Sequence, residues 1–211
     1  MSASVGGVAA ARAVAGGAAA VAGRAGAGGQ AGLVTRDRGR LLGGGEKGGA
    51  KVARTLQGKP GSRFHLAVDR DGRPLEVRLA AGNENERRHL LPLLDALAKR
   101  GIRPGELCAD RGYDSRQLER ALRERGIEPR ISRRRQPGQQ IPAGTPVREV
   151  RRGRKRILKT PDPHAPHRWP VERTTAWLRN RRRIAVRRDR KPETYEAFLQ
   201  LAMILILTRA F

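Results

Sequence analysis

The chain has 211 residues, of which 45 are Lys or Arg and only 20 are Asp or Glu, so its formal net charge is +25. Such a charge attracts polyanions, and it favours nucleic acid as the partner. No apolar run of about 18 residues occurs, so we expect no membrane partner. A single cysteine, Cys108, excludes an intrachain disulfide scaffold. We therefore expect a cytoplasmic protein with one domain of ordinary size plus appendages.

Residues 1–45 consist mainly of Ala, Gly, Val and Arg, with no aromatic residue and no regular hydrophobic period. Such a segment cannot bury a core, so we expect 1–45 to be disordered or aberrant and the folded domain to cover 46–211. The first basic residue is Arg12, and glycines interrupt the Ala/Val stretch, which argues against a secretory signal.

A β-hairpin is predicted next. Phe64, Leu66 and Val68 are apolar at every second position, and residues 74–79 alternate in the same way. Asp71-Gly72 between the two stretches supplies the positive φ that a tight turn needs.

A helix and a short strand follow the hairpin. Leucines at positions 90, 91, 94 and 97 share one helical face, and Gly101 is placed to end that helix. Residues 106–109 form a mostly apolar strand candidate that ends directly in Asp110. A polar side chain at that point would emerge at the rim of a sheet.

A second helix, another strand and an insertion come next. Residues 114–117 have the spacing of a capping box, and the helix behind them stops at Gly126. Residues 127–131 are a further strand candidate. Residues 132–166 are basic and interrupted by Pro and Gly, and we interpret them as a DNA-contacting arm, with a solvated mobile loop as the alternative.

Two helices complete the chain. The first is predicted from His167 to about Arg183, and the second begins at Pro192 and contains the apolar stretch Leu199 to Leu207, which we expect to be buried. The order of strands and helices indicates a mixed α/β fold rather than an all-helical module.

Two acids in basic surroundings are candidate catalytic residues. Alone, Asp110 could be a turn cap, and Glu172 could be the surface partner of Arg168 at i,i+4. Together they are the hard oxygen ligands that Mg²⁺ or Mn²⁺ requires for phosphoryl transfer, a reaction that usually needs a third acid.

The helix that carries Glu172 has a distinct cationic face. Helical spacing puts Arg168, Glu172 and Arg179 on one side, so the acid would be flanked by two phosphate-binding cations. Trp169 and Trp177 are predicted to lie in the core rather than to stack on bases, because only 3% of the chain is aromatic and a core needs them.

Residues 109–115 (A-D-R-G-Y-D-S) and 168–178 (R-W-P-V-E-R-T-T-A-W-L) resemble the second and third acidic motifs of bacterial insertion-sequence transposases of the DDE class. Residues 61–69 and 91–97 are similar to the same family, and the resemblance extends from about residue 46 to the end. It implies an RNase H-like mixed sheet flanked by helices. It also implies Mg²⁺- or Mn²⁺-dependent cleavage and joining of double-stranded transposon-end and target DNA by a homo-oligomer on paired ends.

The resemblance assigns roles to single residues. It implies that Asp110 and Glu172 are the second and third metal-binding catalytic acids. The family's Tyr-Arg-Glu-Lys signature maps onto Arg168, Glu172 and Arg179, with Ala165 where Tyr would fall. The residues that we predict to bind DNA are Arg168, Arg173, Arg179, Arg181 and Arg182.

The family's first Asp, on the first, central strand, has no clear counterpart here. Asp37 stands between two arginines and is a poor substitute. We therefore expect the first central strand to be missing and the N-terminus to be frameshifted or truncated. One codon choice for residues 32–47, read one nucleotide later, encodes D-W-S-R-A-I-V-D-A-S-S-V-A-A-K, which contains an apolar stretch ending in Asp.

Two functions remain open from the sequence. One is a DDE transposase that is complete only if another reading frame supplies the first acid, and the other is a non-catalytic DNA-binding remnant or inhibitor of transposition. A ribosome-like RNA-binding protein would explain the charge but not the surroundings of Asp110 and Glu172. A zinc site at His164 and His167 lacks further ligands.

Overall fold

The computed structural model describes residues 30–34, 49–54, 60–133, 140–141, 143–152, 155–159 and 164–210. Its strands are β1 (Gln30–Val34), β2 (Ala53–Arg54), β3 (Pro60–Asp69), β4 (Pro74–Ala81), β5 (Glu106–Ala109), β6 (Glu128–Ile131), β7 (Arg148–Arg152) and β8 (Lys155–Lys159). Its helices are α1 (Arg87–Lys99), α2 (Arg116–Glu124), α3 (Ala165–Arg179), α4 (Arg182–Ala185) and α5 (Pro192–Ala210). A short 3₁₀ turn covers Arg111–Tyr113.

The main sheet is mixed, which confirms the predicted α/β class. Strand β1 pairs antiparallel with β3 and parallel with β5, and β6 extends the parallel side. Strand β4 pairs antiparallel with β3. Because β1 and β4 both pair with residues 66–68 of β3, they lie on opposite edges of it, and the order across the sheet is β4, β3, β1, β5, β6.

The prediction that the first central strand is missing is wrong, because Gln30–Val34 occupies the central position of the sheet. The segment lacks the alternation and bulky side chains by which strands are recognised in a sequence. Its place is instead set by backbone hydrogen bonds to β3 and β5, which do not depend on side-chain type.

The predicted hairpin is present as β3 and β4. Gly72 in the connecting turn has φ +86°, as the Asp-Gly pair predicts. Alternate residues of β3 face opposite sides of the sheet. Phe64, Leu66 and Val68 belong to the core shared with α3 and α5, whereas Ala67 belongs to the core shared with α1 and α2. The sheet is thus the middle of three layers.

The two helices on the first face form as predicted, although in α1 Leu93 is buried and Leu91, which was predicted on the buried face, is only partly buried. Helix α1 buries Leu90, Leu93, Leu94 and Leu97, and the glycines after α1 and α2, Gly101 and Gly126, have positive φ. The predicted capping box is displaced by one residue. Ser115 is the N-cap of α2, and its hydroxyl accepts a hydrogen bond from the Leu118 amide, while Asp114 closes the preceding 3₁₀ turn.

Helix α5 is only half-covered, which corrects the expectation that Leu199 to Leu207 is buried. Leu199 and Ile206 lie in the core, but Leu201 is 54% exposed and Ile204 is 46% exposed. One side of a helix that is apolar all round meets the sheet, and the other side is left uncovered. No helix in the described ranges is long and apolar enough to cross a membrane.

The basic insertion contains a separate two-stranded sheet of β7 and β8. Three of its five cross-strand pairs join two cations, Arg148 with Lys159, Arg151 with Arg156, and Arg152 with Lys155. The described part of the insertion therefore contains regular structure, and its contact with DNA stays a prediction.

Arg187 ties the N-terminal side of β3 to the loop before α5. Its guanidinium is buried and donates to Ser62 Oγ at 2.5 Å and to carbonyl oxygens of residues 50, 51, 189 and 190 at 2.9–3.4 Å. It also lies over the Tyr195 ring, 5.5 Å from its centroid. Burial lowers the pKa of Arg187 from its usual value.

Candidate active site

Asp110 lies at the carboxyl end of β5, as the sequence predicts, and it caps the 3₁₀ turn that follows. Its Oδ1 accepts a hydrogen bond of 2.7 Å from the Arg111 amide, and its carbonyl accepts one of 2.9 Å from the Tyr113 amide. The backbone alternation of β5 sends Leu107 and Ala109 into the core with α1 and α2. Asp110 therefore projects toward the opposite layer, where α3 lies.

Helix α3 packs on β1, β3 and β5 and brings Glu172 to the same place. Arg168 lies between the two acids. Its Nη1 is 3.7 Å from Asp110 Oδ1, and its Nε is 3.9 Å from Glu172 Oε1. Two carboxylates that are distant in sequence thus meet one guanidinium. The Glu172 side chain is 59% exposed, so the site is open to a large ligand.

A third carboxylate is not found beside these two in the described residues. No group of three or more His, Cys, Asp or Glu side chains that could hold a metal occurs there. The parallel register pairs Gly32 with Cys108. Continuing this register by two residues, past the end of β5 at Ala109, would bring Val34 level with Asp110. Asp37, the weak sequence candidate for the first acid, lies outside the described residues.

Helix α3 is held in place by the turn between β3 and β4. Thr174 Oγ1 donates to the Gly72 carbonyl at 2.5 Å and lies 3.0 Å from the Pro170 carbonyl, and its side chain is fully buried. Arg173 Nη2 donates to the Asp71 carbonyl. These contacts fix the height and rotation of α3, and with them the position of Glu172.

Gly72→Ala is expected to lower stability by about 2 kcal/mol, through strain at positive φ and loss of this docking contact. A Cβ at Gly72 would lie 2.7 Å from Arg173 Nη2 and 3.0 Å from the Pro170 carbonyl oxygen. Gly101→Ala is the matched control, since Gly101 has φ +76° with nothing within 4 Å of an added Cβ. Urea unfolding of both variants measures the difference, and equal losses would show that the docking contact contributes nothing.

The guanidinium of Arg173, one of the arginines predicted to bind DNA, is engaged within the chain. It lies over the rings of Trp169 and Trp177, at 4.9 Å and 4.7 Å from their centroids. Trp177 packs against the core of α3 and α5, as predicted. The core prediction is wrong for Trp169, which is 57% exposed. Helix spacing could not reveal which side of α3 meets the sheet.

The other predicted DNA-binding arginines lie around the carboxyl end of α3. Arg179 is the last residue of α3, Arg181 precedes α4, and Arg182 is its first residue. Arg179 and Arg182 are exposed and Arg181 is half-buried. With Arg168 they make up a cationic surface along α3 and just beyond its carboxyl end, and its contact with DNA stays a prediction.

A buried polar cluster that was not predicted from the sequence lies beneath the Asp110 turn. Tyr113 is fully buried, and its hydroxyl is 3.1 Å from Nδ1 of His65 on β3. The His65 ring stacks on His89 of α1, with ring centroids 4.4 Å apart. His89 Nε2 is 2.7 Å from Glu84 Oε2. Burial lowers the pKa of His65 to about 3, so its imidazole is neutral at neutral pH.

The same turn is also held from α1. Arg87 Nε donates to the Gly112 carbonyl at 3.2 Å, and the Glu86 carboxylate fills the space where a Cβ on Gly112 would lie. Glu86 in turn pairs with Arg63 of β3 at 3.3 Å. A polar residue at a core-facing position of a strand, such as His65, is the one sequence feature that could have indicated this cluster.

Comparisons with known proteins agree on one family. The family model described as "Transposase DDE domain" matches residues 34–208. A putative transposase for insertion sequence element IS402 from Burkholderia cepacia is 38% identical over an alignment of 159 residues that covers 72% of this chain and 65% of that relative. The chain therefore spans slightly less than two thirds of the length of this curated relative.

Among solved structures, one chain of a simian T-cell lymphotropic virus intasome, determined by cryo-EM in complex with PP2A regulatory subunit B56 gamma, aligns with a TM-score of 0.44 and 15% identity. The alignment covers 86% of this chain and 49% of that one.

Proposed function

Because the chain belongs to the family of the transposase DDE domain, we propose that it acts on DNA as a transposase whose site contains Asp110 and Glu172. The proposed reaction is metal-dependent strand cleavage and transfer at the ends of an insertion sequence. The proposed partners are double-stranded transposon-end and target DNA and further copies of the chain, in the bacterial cytoplasm.

The observation that carries this proposal is the meeting of Asp110 and Glu172 at Arg168, within ion-pair distance of both. Surface charge alone would not bring two acids together in a chain with net charge +25. The strand order, with β1 antiparallel to β3 and parallel to β5, supports the RNase H-like fold that the family resemblance implies.

Mg²⁺ or Mn²⁺ is the cofactor that this donor set fits, because both acids offer hard carboxylate oxygens. The bound metal would supply charge stabilisation for in-line attack on a phosphodiester. Asp110 and Glu172 would hold it, and Arg168 is placed to turn from the carboxylates to a DNA phosphate. The exposed arginines at the end of α3 would orient the DNA backbone.

A second function has a specific observation in its favour. Strand β1 carries no acid, and the described residues hold no third carboxylate beside Asp110 and Glu172. A chain with two of three ligands would keep the cationic surface while lacking the chemistry. It would then bind DNA without cutting it, as a non-catalytic remnant or inhibitor of transposition.

Replacing Arg181 and Arg182 together by Gln is expected to weaken DNA binding about uniformly across sequences. The slope of log Kd against log salt should become shallower by about 2, since each lost phosphate contact removes roughly 0.9. Fluorescence anisotropy with a DNA duplex at several salt concentrations measures both quantities. The matched control is the double Gln variant of Arg123 and Arg125, which lie on the opposite layer at the end of α2.

The same preparation distinguishes the two functions. Nicking of a plasmid that carries the element's ends, dependent on Mg²⁺ and lost in Glu172→Gln, supports the transposase. Salt-sensitive binding without nicking supports the non-catalytic protein. An unchanged salt slope in the Arg181 and Arg182 variant would contradict the proposed DNA surface.

A further inference from the structure

The position of Asp110 depends on the turn that follows it, which Arg87 holds from α1 and Tyr113 holds from the core. Asp110 itself is partly exposed, and the hydrogen bonds within the turn are local ones, from the amides of Arg111 and Tyr113. Tyr113 is the residue of this turn whose side chain reaches into the core. Its only polar atom is the hydroxyl, which is buried and must find a partner there.

His65 supplies that partner from a buried position on β3. Strand β3 is paired with both β1 and β4, and His65 is 1% exposed. Its ring is fixed by stacking on His89, which is itself close to Glu84. The Tyr113 hydroxyl therefore meets a side chain that has no freedom to follow it.

We propose that the hydrogen bond between Tyr113 and His65 is a positioning device that sets the place of the Asp110 carboxylate at the metal site. His65 and Tyr113 are positioning residues, since they act through the turn and do not touch DNA or metal. The inference rests on the proposed function for its consequence at the metal, but its structural part stands without it.

Tyr113→Phe removes only the hydroxyl and is expected to speed amide exchange at Arg111, Tyr113 and Asp114 about fivefold, the factor that corresponds to one buried hydrogen bond. The dissociation constant for Mn²⁺ alone, measured by electron paramagnetic resonance, should rise by a similar factor. Neither measurement requires the chain to cleave DNA.

Tyr195→Phe is the matched control. The Tyr195 hydroxyl is also buried, and it donates to the Ile184 carbonyl at 2.7 Å in the other core. Tyr195→Phe should lower the melting temperature by about as much as Tyr113→Phe does. It should leave amide exchange at residues 110–114 and Mn²⁺ binding unchanged. His65→Phe keeps a ring against His89 and should reproduce the effect of Tyr113→Phe, and the double variant should show no larger effect on exchange.

Equal exchange at residues 110–114 in Tyr113→Phe and in the unaltered chain would overturn the inference, as would fully additive effects of the two substitutions. If the unaltered chain binds no Mn²⁺, the proposed metal site fails, and the exchange measurements alone decide whether Tyr113 and His65 hold the turn.

Discussion

Val34→Asp is expected to give the chain Mg²⁺-dependent nicking of plasmid DNA at a rate at least about 100-fold above that of the unaltered chain. The parallel register of Gln30–Gly32 with Glu106–Cys108, continued by two residues, would bring Val34 level with Asp110. A carboxylate there would complete the set of three that two-metal phosphoryl transfer uses, and loss of one such electrostatic group typically costs a factor of 10²–10³.

Val34→Asn is the control, because asparagine has the same shape as aspartate and a similar polarity but carries no charge. Equal melting temperatures of the Asp and Asn variants would separate chemistry from folding. Adding Glu172→Gln to Val34→Asp should abolish the activity. If the unaltered chain already nicks at the same rate, the third ligand comes from elsewhere, and Asp37 is the residue to replace next.

Arg187→Met is expected to lower the free energy of unfolding by about 3 kcal/mol. The substitution preserves much of the side-chain volume but leaves Ser62 and four backbone carbonyls without their common donor. For a chain of this size that corresponds to a fall in melting temperature of about 6–12 °C. Urea unfolding and calorimetry measure the two quantities.

The exposed neighbour Arg188 provides the comparison, and Arg188→Met should change stability by less than about 0.5 kcal/mol. A loss below about 1 kcal/mol for Arg187→Met would show that water replaces the guanidinium and that the two segments do not depend on it. The loss of unfolding free energy in Arg187→Lys should lie between the losses in Arg188→Met and Arg187→Met, because a lysine keeps the charge but cannot reach all five acceptors.

The elements that the sequence predicts well are those set by local pattern. Alternation in β3 and the Asp71-Gly72 pair specify the hairpin without reference to the rest of the chain. The short apolar strand before Asp110 and the helix around Glu172 are local in the same sense. The two acids could therefore be selected before their contact with Arg168 was known.

The features that were missed depend on partners distant in sequence. Whether Trp169 is exposed depends on which side of α3 meets the sheet, and the turn at Gly72 decides that through Thr174 and Arg173. The buried position of Arg187 depends on carbonyls that lie more than a hundred residues earlier. No periodicity contains such information. The reading-frame hypothesis for residues 32–47 stays a prediction that the nucleotide sequence would test.

The central place of β1 has a kinetic consequence. The β3–β4 hairpin joins neighbours in the chain, whereas β1 must bring Gln30 beside Glu106 and Ala31 beside Asp69. Contacts of such long sequence separation form late, because the chain loses the entropy of closing a long loop before these contacts stabilise the fold. We expect the antiparallel and parallel halves to assemble first as separate units. Although β1 precedes the other described strands in the chain, it would then be the last of them to join the sheet.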